Sequence, residues 1–266
     1  LWKGISLAKT AIVAPLGTSP PVITEFLEYV EKVQDKRVSD LVIIVTREPA
    51  VLEGVPLIQC AVKRRYPHVH THIVELPFAD IKSGEDNLEF MRICAGVLRK
   101  EKEVHKTGSI YLCVAGGRED MCITLSLLAQ YFEVNGVFHV ITPDVKSMNI
   151  ELERAMHNIR ELSESQDKDG YYEQHRELFD SLMFPPPSQY NVINIPVLPY
   201  SQTMLNDIFR LLTGDSTRMR SSVRLPLTVL ENMDASGLIK LTENNVYLTS
   251  EGRSFGETLK LGLGVR

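Results

Sequence analysis

The chain has 266 residues, 44% of them hydrophobic, enough to bury a full-sized core as one large domain or two smaller ones. Charged residues make up 24% and the formal net charge is -5. A protein that grips long nucleic acid by its phosphates must displace the polymer's counterions and is usually basic, so this mild acidity argues against that activity for the whole chain. A local basic patch stays open.

No run approaches the ~20 apolar residues needed to span a bilayer. The opening LWKGISLAKTAIVAPLG lacks a signal-peptide cleavage pattern and runs straight into a strand. No membrane partner is expected, and the protein is expected in the cytoplasm.

TAIVAPLG is a continuous apolar run ending at Gly17, the pattern of a strand buried on both faces. PPVITEFLEYVEKVQ follows with helical spacing at Val22, Phe26, Leu27 and Val30, opened by proline. DLVIIVT (40–46) is a second buried strand, and PAVLEGVPLIQCAVKRRYP a second helix. HTHIVELPF is a third strand, followed by the helix NLEFMRICAGVLRKEKEV with basic residues near its C-terminus. SIYLCVAGG (109–117), the helix EDMCITLSLLAQYF and the strand GVFHVIT (136–142) complete the series. Strand and helix alternate, the signature of an α/β, Rossmann-like, mostly parallel sheet with helices on both faces. In such sheets ligands bind at the carboxyl ends of the strands. The loops after Leu16, Val45, Pro77, Ala115 and Ile141 are therefore the places to look for chemistry.

From 147 to 181 the sequence turns polar and predicts a helix, a break at Asp167–Gly170 and a second short helix. PPPSQY stops helix formation, NVINIPVLP is a last strand, and MLNDIFRLLTGD is helical. Beyond it, SSVRLPLTVLENMDASGLIKLTENNVYLTSEGRSFGETL gives a helix, LIKLT, the turn ENN, VYLT and a closing helix. A helix, a two-strand wing and a final helix are how many winged-helix domains end. The expected division is 1–200 and 201–266.

Cys60, Cys94, Cys113 and Cys122 form no CxxC pair and read as buried free thiols. His68, His70 and His72 alternate through PHVHTHIVEL; without an acidic or Cys partner nearby they read as a solvated edge strand. No metal site and no cofactor are expected.

Two glycine turns carry the chemistry. In LGTSPP (16–21), Gly17 lets backbone amides approach a ligand, and Thr18 and Ser19 add hydroxyls at a helix N-terminus, where free N–H groups and the dipole attract anions. Ser19 as a helix cap and the loop as an anion site are both open. It is neither a Walker A loop nor a GxGxxG fingerprint. In AGGREDMC (115–122), Gly116 and Gly117 open the turn and Arg118 is placed to recognise phosphate, or to pair with Glu119 or Asp120 on the surface.

LGTSPPVITEFL after the opening strand and VAGGRED after the fourth resemble the CRISPR-associated Rossmann-fold (CARF) family, over roughly 1–200, and within it are most similar to archaeal ring nucleases. The resemblance implies a homodimer whose paired loops line one symmetric pocket for cyclic tetra-adenylate. It implies ligand contacts from Gly17, Thr18, Ser19, Pro20, Thr46, Gly116, Gly117, Arg118 and Glu119. It also implies metal-independent cleavage, in which a ribose 2′-hydroxyl attacks the adjacent phosphate to give linear di-adenylate with a 2′,3′-cyclic phosphate. Ser19 would position the reacting groups, since a serine is a poor base. Two departures stand out. Glu119 replaces a lysine usual in the second turn, and Lys168 is the one lysine between Lys146 and Lys240 that could fill the family's late lysine place. As catalytic residues the expectation is therefore Ser19 and Lys168, with Lys168 as a plain solvated loop residue the alternative.

The tail carries Arg218, Arg220, Arg224 and Arg253, expected as a solvated charged face, with DNA contact as the alternative. Its helix LPLTVLENMD is apolar and acidic where base-reading residues would be wanted, so a dimerising or structural tail is expected. The chain thus reads as a ring nuclease that turns off CRISPR antiviral signalling. The alternative is a ring-sensing transcriptional regulator acting through its tail. An RNase tail is not supported, because Arg154 and His157 do not fit an Arg-x₄₋₆-His spacing.

Overall fold

The computed structural model describes residues 9–132, 134–196 and 202–263. The strands β1 (Thr10–Leu16), β2 (Asp40–Val45), β3 (His70–Glu75), β4 (Ser109–Cys113), β5 (Gly136–Ile141) and β6 (Asn191–Ile195) form one sheet in the order β3-β2-β1-β4-β5-β6. The first five are parallel, and β6 runs antiparallel to β5 with Ile141 opposite Asn191. The sheet is Rossmann-like, with its order reversing between β1 and β4.

Side chains alternate across each strand, so each central strand feeds two cores. Ile12, Ala14 and Leu16 of β1 face α1 (Pro21–Lys32), α2 (Pro49–Arg65), α5 (Val145–Glu164), α6 (Lys168–Gln174) and α7 (Arg176–Met183). Val13 faces α3 (Gly84–Glu103) and α4 (Glu119–Ala129) on the other side. The polar stretch breaks at Ser165–Asp167, slightly before the expected place, because Asp167 caps α6 by accepting the Gly170 N–H at 2.9 Å.

Beyond α8 (Gln202–Thr213) the chain forms β7 (Thr217–Met219), α9 (Leu227–Ala235), β8 (Ile239–Leu241), β9 (Asn245–Leu248) and α10 (Ser250–Leu263). The antiparallel order β7-β9-β8 includes a strand, β7, that the sequence pattern did not predict; three residues are too few to show a period. This tail does not stand apart from the sheet. α10 packs along α3, and Leu212, Leu230 and Leu259 share one apolar cluster with Phe90, Met91 and Leu98. The boundary expected at 200 and the end of NVINIPVLP lie outside the described residues.

The thiols are free, and burial pushes Cys60 and Cys122 up to about 11 and Cys113 up to about 12, so they stay protonated and inert. β3 is an edge strand, as its histidines suggested. Their expected lack of acidic partners is corrected. His72 Nε2 lies 2.9 Å from Asp40 Oδ1 on the neighbouring strand, and His68 Nε2 lies 3.1 Å from Glu31 Oε1. Among the described residues no cluster of His, Cys, Asp or Glu could hold a metal, and no helix is long and apolar enough to cross a membrane.

One carboxyl is buried without compensation. Glu25 on α1 is 1% exposed, and burial, helped by the Glu28 carboxylate, pushes it up to about 7 from 4.5. The folded state then binds a proton that the unfolded chain has released, so stability is full below about pH 4.5 and falls as pH rises through 7. The loss should reach about 3 kcal/mol by alkaline pH. Glu25→Gln should flatten that slope in urea unfolding across the range; an unchanged slope would place the titration elsewhere.

Candidate functional site

The pairing of β1 with β4 ends at Val13↔Leu112, although β1 continues beside β2 to Leu16↔Val45. Pro15 explains the break, since it has no N–H to give to a further rung on the β4 side. Past that point the loops after β1 and β4 stay in close backbone contact. A methyl group on Gly17 would overlap the Gly116 carbonyl oxygen, and one on Gly116 would overlap the Pro15 carbonyl oxygen. A methyl on Gly117 would lie 2.7 Å from Pro15 Cβ. The glycines are required first so that two backbones can touch, and this contact shapes a cleft of about 300 Å³.

Leu16, Gly17, Thr18, Ser19, Thr46, Gly116, Gly117 and Arg118 line that cleft. It sits at the carboxyl ends of the strands where the order reverses, at the start of α1, α2 and α4. Each of those helix starts turns the positive end of its dipole toward the cleft, although α1 opens with Pro20 and Pro21, which have no N–H, and its next amides, of Val22 and Ile23, bond to the Ser19 and Pro20 carbonyls.

The Ser19 hydroxyl is not a helix cap. Pro20 occupies the cap position of α1, with no side-chain cap bond, and Ser19 Oγ is buried with no hydrogen-bond partner. A buried hydroxyl left unpaired is costly, and its position in the cleft wall gives it a place to be satisfied by a ligand. Arg118 does not pair with Glu119 or Asp120. Its Nε lies 2.7 Å from Asp80 Oδ1, in the loop after β3, which holds the guanidinium at the rim. Asp80 carried no sequence signal, since only the fold brings the ends of β3 and β4 to one side.

Two residues of the expected set lie off the cleft wall. Pro20 is buried and supports the loop from beneath, where Gly54 of α2 packs on its ring; a methyl at Gly54 would come within 2.7 Å of Pro20 Cγ. Glu119 is exposed in the first turn of α4, where its charge suits the helix dipole. Glu48, Val51, Ala79 and Met121 line the cleft without having been anticipated.

Lys168 is not brought to the cleft, which corrects its expected catalytic place. It opens α6, its Nζ donates to the Ser165 carbonyl at 2.9 Å, and it borders a separate hollow with Cys60, Lys63, His70 and His72. His70 begins β3, so that hollow is at the amino ends of the strands. Along α2, Val51 lines the cleft and Lys63 the hollow, about 18 Å apart by helical rise. Lys168→Ala should therefore leave single-turnover cleavage of a ring substrate at the parental rate. A fall beyond about tenfold, ~1.4 kcal/mol in the barrier, would contradict this placement.

The family model described as CRISPR-associated protein NE0113 (Cas_NE0113) matches residues 19–226. The chain belongs to this CRISPR-associated family. The NE0113 match begins at Ser19 and runs past β6 and α8 to Pro226, so it includes both cleft loops from Ser19 onward and the first part of the tail. None of the curated proteins matches the chain. Among solved structures, Enterococcus italicus Csm6 bound to cyclic hexa-2'-fluoro-hexa-dAMP is similar at a TM-score of 0.49 and 15% identity. That similarity covers 86% of this chain and 48% of the Csm6 chain, so this chain spans about half of its length.

Proposed function

We propose that this NE0113-family chain is a CARF-type ring nuclease that binds cyclic tetra-adenylate in the β1/β4 cleft and cuts it without metal. The supporting observation is the junction of the LGTSP and AGGR loops at the strand-order reversal, with the unpaired Ser19 hydroxyl in its wall. A cleft of about 300 Å³ is at the small end of ligand pockets, too small for a cyclic tetranucleotide. Two copies of the chain, each giving one cleft, match the two-fold symmetry of such a ring.

In this reading the helix ends of α1, α2 and α4 and the Arg118 guanidinium hold the phosphates. Ser19 donates to the scissile phosphate or orients the ribose 2′-hydroxyl for in-line attack. Positioning and charge stabilisation are what the reaction asks of the protein. The attacking oxygen bonds to phosphorus, the 5′-oxygen leaves with a proton, and each cut end carries a 2′,3′-cyclic phosphate. Residues 1–200 are then the CARF unit and 201–266 a winged-helix-like unit. The protein works in the cytoplasm and ends CRISPR antiviral signalling.

The place of Lys168 favours a second reading, a regulator that holds the ring uncut and passes the signal to a DNA-binding tail. Against it, two tail arginines are engaged within the tail, Arg218 half-buried and Arg253 on the surface. The Arg218 guanidinium packs over Gly214, and Arg253 Nη2 donates to Ser216 Oγ at 2.6 Å. Incubation with cyclic tetra-adenylate, with and without EDTA, separates the readings. Linear di-adenylate formed equally in both supports the nuclease. A ring that is bound but intact after hours supports the regulator, and a ring neither bound nor cut overturns both.

A further inference from the structure

A second pocket, of about 270 Å³, opens on the same edge of the sheet, between the start of α1, the β5–α5 connection and the chain after α7. Pro143, Met148, Leu182 and Pro185 give it apolar walls, and Glu25 lines it. Glu25 Oε2 is buried with no hydrogen-bond partner. A buried carboxyl oxygen in that state leaves bonding capacity that a group entering the pocket can use.

We propose that this pocket binds an amino-substituted nucleobase of the adenine type, gripped edge-on by Glu25 between the apolar walls. Adenine places its 6-amino donor beside a ring-nitrogen acceptor, which a neutral carboxylic acid meets with one acceptor and one donor. Burial and Glu28 hold Glu25 near half protonation at neutral pH, so the neutral acid is available there.

A cationic ligand fits less well. It would need Glu25 ionised beside Glu28, and it would face the positive end of the α5 dipole. The other acids of the pocket offer little to it. Asp144 caps α5, accepting from Ser147 N at 3.1 Å and Ser147 Oγ at 2.6 Å, and Glu151 is exposed. Tyr190 and Cys113, which also sense the Glu25 charge, are pushed up by burial and stay neutral. No Lys or Arg lines the pocket among the described residues.

The choice of adenine rests on the ring-binding reading of the cleft. Glu25 is the fifth residue of α1, the helix that directly follows the Ser19 loop, so the pocket and the cleft both border that helix. Free adenosine is the probe, so that failure of this pocket and failure of the cleft are read separately.

Calorimetric titration of the full chain should show adenosine binding that weakens about 30-fold from about pH 6 to about pH 8.5, following the neutral fraction of Glu25. Purine riboside, which lacks the 6-amino group, should bind at least tenfold more weakly. Glu25→Gln keeps a donor beside an acceptor, so it should retain binding and lose the pH dependence. Glu25→Leu should abolish binding. The proposal is overturned if adenosine does not bind at millimolar concentration, or binds independently of pH. Equal binding of purine riboside, or parental affinity in Glu25→Leu, overturns it too. So does putrescine binding that strengthens with pH and is lost in Glu25→Gln. Binding of cyclic tetra-adenylate that is indifferent to Glu25 would leave the cleft standing and remove this pocket.

Discussion

Ser19→Ala is expected to slow single-turnover cleavage of cyclic tetra-adenylate by about a hundredfold while the melting temperature stays almost unchanged. Misplacing an attacking group by about 1 Å is enough for such a loss. The small stability effect follows from geometry. Pro20 holds the cap position and the Ser19 hydroxyl bonds to nothing, so its removal forfeits neither a cap nor a hydrogen bond and should leave stability unchanged or slightly raised. A true cap would instead have cost about 0.5–2 kcal/mol and left cleavage alone. Rapid-quench assays beside thermal melts of the same preparations read both quantities. A parental rate with a lowered melting temperature would return Ser19 to a structural role.

Gly116→Ala should have a large effect on the fold of the site. The added methyl meets the Pro15 carbonyl oxygen, and backbone cannot move aside as a flexible side chain could. Overpacking of this kind costs about 1–3 kcal/mol, so the melting temperature should fall by several degrees. The two cleft loops should part, and ring affinity should drop at least tenfold, ~1.4 kcal/mol. Gly96 in the middle of α3 is the internal control. A methyl there meets nothing within 4 Å, so Gly96→Ala should stabilise by about 0.4–1 kcal/mol and leave binding intact. Equal effects at the two glycines in differential scanning calorimetry would remove the loop-contact account.

Much of this was readable before any coordinates. TAIVAPL, DLVIIV and SIYLC are apolar without alternation, which only a strand covered on both faces requires, and all three are central strands. Their carboxyl ends follow from the chain direction, so the loops at Gly17 and Gly116 could be placed at one edge. The cleft itself could not be drawn so far. The pairing of Arg118 with Asp80 spans elements distant in sequence, and nothing local marks Asp80. Ser19 next to prolines looks like any helix cap until Pro20 is seen to hold that position. Lys168 shows why a residue cannot be assigned by elimination: α6 starts at the wrong end of α2 for it to reach the cleft. The docking of α10 on α3 was hidden for a related reason, since an amphipathic tail helix states that it packs, not against what.

The central claim is that two copies of this chain share one ring through the β1/β4 clefts. Isothermal titration of the full chain with cyclic tetra-adenylate, in EDTA and with light scattering on the same sample, tests it most directly. The predicted result is saturation at one ring per two chains, with a dimer in solution and the affinity reduced in Ser19→Ala. A monomer that takes one ring per chain, or no heat of binding at micromolar protein, would contradict it.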